Sequence, residues 1–171
     1  MDFFSVLKER HSVRLFQARP IEAEKLQAIL EAINRAPSAG NLQAYEVYLV
    51  QQARLRADLA RGSGNQDFLA QAPIVLVFCA HAKRAEERYA ARGTELYCVQ
   101  DATIACTFAM LAATALGLSS VWVGAFDEQT VRETVGAPPD QRPVAMLPVG
   151  YAAETPGIRE RRPLEELIHA I

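Results

Sequence analysis

Hydrophobic and polar positions follow two rhythms along this chain, and the rhythm changes at turn-forming residues. A helical period covers about Asp2 to Glu9 and then Glu22 to Arg35, where Leu26, Ile29, Leu30 and Ile33 recur at helical spacing. Pro20 before that second helix and Pro37 after it fit its two ends. Glu46 to Val50 reads as a strand, and Gln52 to Arg61 as a polar helical segment. Gly62-Ser63-Gly64-Asn65 is a loop signal. Ile74 to Ala80 is a continuous apolar run entered through Pro73, the pattern of a strand buried on both faces. Lys83 to Arg92 is charged and helical or lid-like. Ala102 to Leu118 is a long apolar helix without a charge, ending at Gly117. Val121 to Ala125 predicts a third strand, Glu128 to Val135 a short helix and Val144 to Val149 a fourth strand. Pro148 places that last strand at a sheet edge or makes it end there. Strands alternating with helices indicate an αβ sandwich, and alternation alone suggests a parallel sheet.

Two features of the pattern bear on assembly. The stretch Ala102 to Leu118 falls just short of a membrane span and is diluted by alanine and by Thr103, Thr107 and Thr114. A helix that is apolar all round is buried on every side. In a chain of 171 residues, one way to bury it is against a second copy of itself. That length also predicts one domain, spanning residues 1–171.

Composition narrows the function classes. With 50% apolar and 22% charged residues the chain is globular, and a net charge of −2 speaks against a nucleic-acid binder. Cys79, Cys98 and Cys106 form no CxxC pair, so neither a disulfide framework nor a zinc knuckle is indicated. The N-terminal MDFFSVLKERHSVR carries no export signal, and a reducing, cytoplasmic setting is expected. Both standard phosphate loops, the HExxH zinc motif and the GxSxG elbow are missing, and His11, His81 and His169 lack metal spacing. No metal and no protein nucleophile is therefore expected. If the chain is an enzyme, an organic cofactor carries the chemistry.

Three segments offer binding chemistry. Arg10-His11-Ser12-Val13-Arg14 and Arg159-Glu160-Arg161-Arg162 are basic clusters at opposite ends of the chain. Arginine is a planar donor suited to phosphate. Ala36-Pro37-Ser38-Ala39-Gly40-Asn41-Leu42-Gln43 joins a helix to a strand, and its small residues let backbone approach a ligand. Taken singly, the clusters also fit solvated charge runs, and the loop fits an ordinary connection.

Together these blocks resemble the nitroreductase family of FMN-dependent oxidoreductases. The likeness begins with Arg10-His11-Ser12-Val13-Arg14-x-Phe16 and continues through Pro20-Ile21 and Ala36 to Gln43. It extends over Asp101 and its apolar helix, Val121-Trp122-Val123-Gly124-Ala125-Phe126, and Arg161-Arg162-Pro163-Leu164-Glu165-Glu166. The resemblance implies an α+β fold with helices around a mixed, largely antiparallel sheet, and a homodimer with FMN at the interface. It places Arg10, His11, Ser12, Arg159 and Arg161 around the FMN phosphate and ribityl chain. Arg14 stands near the flavin N1 and O2, where a cation stabilises the reduced, anionic ring. Pro37, Ser38, Ala39 and Asn41, with Gln43 as a further member, approach the ring from the partner subunit, and Gly124 and Ala125 lie against it through backbone. It implies no catalytic side chain. NADH or NADPH is the reductant, and a small nitroaromatic or quinone-type molecule the acceptor, in ping-pong fashion. Neither nucleic acid nor a membrane is an expected partner. A flavin-binding protein without nicotinamide turnover is the alternative on the same fold. Ala44-Tyr45 departs from the family's common Pro-Trp and implies an altered wall near the flavin.

Overall fold

The computed structural model describes residues 1–157 and 159–171. Its strands are β1 (Tyr45–Val50), β2 (Ile74–His81), β3 (Ser119–Ser120) and β4 (Gln141–Gly150), in one sheet ordered β1-β2-β4-β3. All the strand pairs are antiparallel, and the one parallel contact is an isolated bridge between Ser12 and Ser120. This corrects the parallel sheet suggested by alternation and agrees with the largely antiparallel one. The reason lies in the β1–β2 connection. It carries two helices, α3 (Ala53–Arg61) and α4 (Phe68–Gln71), rather than one. Gly64 and Asn65, at φ 68° and 60°, form the turn between them.

β2 is buried along nearly its whole length because both faces are covered. Ile74, Leu76, Phe78 and Ala80 join Ala145, Leu147 and Val149 of β4 in a core under α2 (Ala23–Asn34) and α6 (Cys98–Ala115). Val75, Val77 and Cys79 point the other way, into a core with Leu59 of α3, Leu69 of α4 and Val131 of α7 (Glu128–Val135). Cys79 is a free thiol whose burial pushes its pKa up to about 12. Cys98 and Cys106 are buried and free as well.

The stretch Val121 to Ala125 does not form the expected strand. Pairing with β4 runs through Ser120, opposite Val149, then resumes as one bridge between Val123 and Met146. In that register Val121 falls opposite Pro148, which has no N–H to give. β4 is thus an interior strand, and its proline breaks the neighbouring ladder instead of marking an edge.

α6 shows how an apolar helix divides its surface. Its buried stripe is made of small side chains: Ala102, Ala105, Cys106, Ala109 and Ala113. They bring the helix close to the sheet and α2. Val99, Thr103, Ile104, Thr107 and Leu111 on the other side are only half-buried. Within one chain the helix is therefore not enclosed on every side, and an apolar face remains.

Where the chain leaves β4, Tyr151 anchors the loop before α2. Its hydroxyl donates to Glu22 Oε2 at 2.5 Å and accepts from Lys25 Nζ at 2.9 Å, while Arg19 lies 3.8 Å from its ring centroid. These contacts, led by the tyrosine hydrogen bond, lower the Glu22 pKa from an ordinary 4.5 to about 2. A lowered carboxylate pKa contributes stability that is present above the unfolded value and lost as pH falls through the folded one. Urea midpoints measured at successive pH values should show wild type exceeding Glu22→Gln above about pH 4.5, with the gap closing towards pH 2. A gap that persists at the acid end would contradict this assignment.

Candidate functional site

The two basic clusters meet in space. α1 (Phe3–Glu9) is capped by Asp2, whose Oδ1 accepts the N–H groups of Phe4 and Ser5, and it ends at Arg10 in extended backbone. From there the chain runs beside β3, with Ser12 bridged to Ser120 and the Val13 N–H donating to the Ser120 carbonyl at 3.1 Å. Val13 and Phe16 are buried, which leaves Ser12 and Arg14 facing out. The same segment then pairs with the stretch after β4. Phe16 bridges Ala152, Gln17 N–H donates to the Tyr151 carbonyl and Ala153 N–H to the Leu15 carbonyl.

This pairing sets Arg10, His11, Ser12 and Arg14 across from Arg159 and Arg161, around one cleft of about 810 Å³. His11 Nδ1 is held 2.9 Å from the Glu9 carbonyl. Among the described residues none of the four arginines pairs with a carboxylate. Glu154, also in the cleft wall, instead accepts the backbone N–H of Arg14 at 2.5 Å. Arg162 turns away: its guanidinium donates to the Glu166 carbonyl at 2.8 Å and lies 3.4 Å from the Glu166 carboxylate. A concave cleft with unpaired guanidiniums on two sides is suited to a dianionic phosphate with a polar chain attached.

The loop after α2 forms a second wall elsewhere. Pro37, Ser38 and Ala39 line a cleft of about 510 Å³ together with Tyr97, Val99, Gln100, Asp101, Thr103 and Ile104. Its surface is chiefly apolar, as a flat ring requires. It shares no residue with the cationic cleft. Gly40, Asn41 and Gln43 all have positive φ, at 54°, 57° and 49°. Such a loop needs external support. Asp101, only 2% exposed, supplies it from the first turn of α6. Its carboxylate accepts the Ala39 N–H at 2.9 Å and the Ala44 N–H at 3.3 Å. Ser38 Oγ accepts the Gln43 N–H at 2.9 Å.

The remaining expected residues fall outside both clefts. Asn41 is exposed on the loop, beyond the lining of either. The Gln43 side chain turns to Asn34 Oδ1 at 3.0 Å, on the other side of the loop. Gly124 lines a small third cleft with Val99, Phe126 and Arg142. The Ala125 carbonyl accepts from Gln66 Nε2 at 3.0 Å. Tyr45 is buried and donates to the Ile33 carbonyl at 2.9 Å, so the Ala44-Tyr45 departure alters the packing beneath the loop rather than the wall of the Pro37–Ala39 cleft. Two contributors carry no motif of their own, Gln66 beside Ala125 and Glu154 in the cationic cleft, and Asp101, part of the family likeness, carried no assigned role as loop support. Asp101 had a visible signal, as the one carboxylate at the start of an otherwise uncharged helix.

With this geometry in place, comparison with known proteins is decisive. The model of the nitroreductase family matches residues 7–63 and 60–151. The chain belongs to the nitroreductase family. It is 31% identical over 176 residues to an FMN reductase [NAD(P)H] of Bacillus subtilis, covering 95% of this chain and 71% of that protein. A nitroreductase family protein from Clostridium difficile superposes with a TM-score of 0.86 at 31% identity, covering 99% of this chain and 98% of the other. The NADPH:FMN oxidoreductase of Vibrio harveyi, solved with NAD+, gives a TM-score of 0.90 at 26% identity over 98% of this chain and 76% of that one. These matches establish the nitroreductase fold for this chain.

The role of Asp101 is directly measurable. Asp101→Ala leaves two backbone N–H groups without an acceptor, one of them buried, and should cost about 1–3 kcal/mol in urea unfolding. A loss below about 0.5 kcal/mol, the range of a neutral surface change, would show that the loop holds itself.

Proposed function

We propose that this nitroreductase-family chain is an FMN-dependent NAD(P)H oxidoreductase that reduces a small electrophilic acceptor. The observation that carries the reading is the gathering of Arg10, Arg14, Arg159 and Arg161 around one cleft without carboxylate partners. Relatives named as an FMN reductase and an NADPH-flavin oxidoreductase support the same reading. In it, Arg10, His11, Ser12, Arg159 and Arg161 hold the FMN phosphate and ribityl chain, and Arg14 stands at the ring end. When bound, FMN supplies the redox chemistry, taking a hydride from NADH or NADPH and passing it to a nitroaromatic or quinone-type acceptor in alternate half-reactions. The residues of the chain bind, orient and exclude water, and no side chain serves as nucleophile.

The reading requires two copies. The apolar cleft of Pro37, Ser38 and Ala39 shares no residue with the cationic one, and in this reading the ring held by the second is walled by the Pro37–Ala39 loop of a second copy. The half-buried face of α6 is the surface for that interface. Phe3, Phe4, Leu7, Leu164, Leu167 and Ile168 are also apolar and exposed, and a partner would cover them. Asn41, Gln43, Gly124 and Ala125 belong to the composite site as secondary members, through loop backbone and the strand-like stretch beside Met146.

Two measurements test the reading. Under anaerobic conditions, NADH or NADPH should bleach the yellow holoprotein. A flavin that stays oxidised would favour a binder without turnover. Arg161→Ala should weaken FMN by about ten- to a hundredfold, as expected for one charge-assisted contact, and weaken riboflavin far less. Arg162→Ala, already bonded to Glu166, should leave both unchanged. Equal weakening of FMN and riboflavin in Arg161→Ala would overturn the phosphate assignment.

A further inference from the structure

α5 (Ala82–Arg92) carries Arg84, Arg88 and Arg92 at four-residue spacing; Arg84 and Arg88 share one side of the helix, and a kink at Ala90 precedes Arg92. Each guanidinium rests on a neutral acceptor. Arg84 Nε donates to the Leu42 carbonyl at 2.5 Å, Arg88 Nη1 to the Gly40 carbonyl at 3.3 Å and Arg92 Nε to the Tyr97 hydroxyl at 2.9 Å. Among the described residues none of the three pairs with a carboxylate, although Glu86, Glu87 and Glu95 are close in sequence. Each fork therefore keeps donors unspent, in a geometry that matches phosphate oxygens.

The C-terminal half of this row adds aromatic rings. Tyr89 and Tyr97 meet edge to face, with centroids 5.0 Å apart and planes at 84°. Arg88 lies 5.6 Å from the Tyr89 centroid and Arg92 lies 5.3 Å from that of Tyr97. Tyr97 lines the apolar cleft, and Arg88 bonds to the residue next to Ala39 in its wall. Arg92 thus bonds to a residue of that cleft's wall, and Arg88 to the neighbour of one. Contact there is close: a Cβ on Gly40 would come within 2.5 Å of the Tyr89 hydroxyl. Cations bracketing aromatic rings beside a flat apolar cleft suit a ligand with flat rings and phosphates together.

We propose that Arg88 and Arg92, with Tyr89 and Tyr97, bind the phosphates of the nicotinamide dinucleotide while its nicotinamide enters the apolar cleft. This rests on the oxidoreductase reading above. The hydride must be delivered where a flat ring stacks, and the polyanionic remainder of the donor must leave through the cleft mouth. The other cationic cleft is separate and is assigned to FMN. Arg88 and Arg92 stand on either side of a bend at Ala90 (φ 45°, ψ −138°), and each keeps guanidinium donors free for phosphate oxygens.

The test uses FMN-loaded protein and the substitutions Arg88→Gln and Arg92→Gln, with Lys83→Gln as a control that removes one charge from the same helix. Calorimetric titration with NADP+ and NAD+ reads binding without turnover, and KM values for NADPH and NADH accompany it. Reduced 1-benzylnicotinamide, a hydride donor without phosphate, reports whether the cleft is intact. Each arginine variant should raise the dinucleotide Kd by about tenfold, as loss of a charge-assisted contact implies, with the benzyl donor unaffected and Lys83→Gln at wild-type values. Weakening confined to NADPH and NADP+ assigns the site to the 2′-phosphate, and equal weakening of both pairs assigns it to the pyrophosphate. Either supports the proposal. Unchanged dinucleotide affinity overturns it, and so does an equal loss with the benzyl donor, which marks a structural role. A wild-type flavin that neither dinucleotide reduces would instead overturn the oxidoreductase reading itself.

Discussion

Like charges crowded into one concave surface repel, and this fold brings four arginines together with, among the described residues, no carboxylate paired to any of their guanidiniums. That repulsion grows as the charges approach and is weakened by salt. The arrangement is sustained by backbone. Residues 12–17 are bonded to Ser120 on one side and to residues 151–153 on the other, so the two ends of the chain are fixed beside one another. Among the described residues the one carboxylate lining the cleft, Glu154, accepts the Arg14 N–H. An anion entering the cleft removes repulsion and gains charge-assisted hydrogen bonds together, which is why the cationic crowding reads as a phosphate site rather than as surface charge.

The second half of the candidate site depends on a different device. The loop from Pro37 to Gln43 uses three positive-φ residues to present small side chains and open backbone. That conformation is costly for asparagine and glutamine. Asp101 offsets the cost from below, and the arginines of α5 hold the loop carbonyls from above. The small residues of α6 that allow close packing on the sheet also bring its first turn, and with it Asp101, within reach of the loop. Fold and site are coupled through that one helix.

Much of this was legible in the sequence. The hydrophobic pattern located α2, β2 and α7 almost to the residue: α2 by its periodic apolar stripe and β2 by a continuous apolar run buried on both faces. Alternation alone misread strand direction, and the family resemblance supplied the largely antiparallel sheet. Val121 to Ala125 has strand composition, but its ladder fails at Pro148, a residue distant in sequence. The family motifs drew the basic clusters together, and the structure sets them around one cleft. Motif order said nothing about which way a side chain turns, and so Gln43 was grouped with a wall that it faces away from. Asp101, Gln66 and Glu154 act through backbone groups of other segments, contacts that spacing does not encode. The arginines of α5 looked like a solvated face, because their distinguishing feature is the absence of nearby carboxylate partners in space.

Everything proposed for the site assumes that the cationic cleft of one copy and the Pro37–Ala39 wall of another enclose the same FMN. Native mass spectrometry of the purified holoprotein reads this directly, since it counts chains and flavins in one particle. The account predicts a particle of two chains and two FMN, with flavin lost when the dimer dissociates. A single chain that retains FMN at full affinity would contradict it.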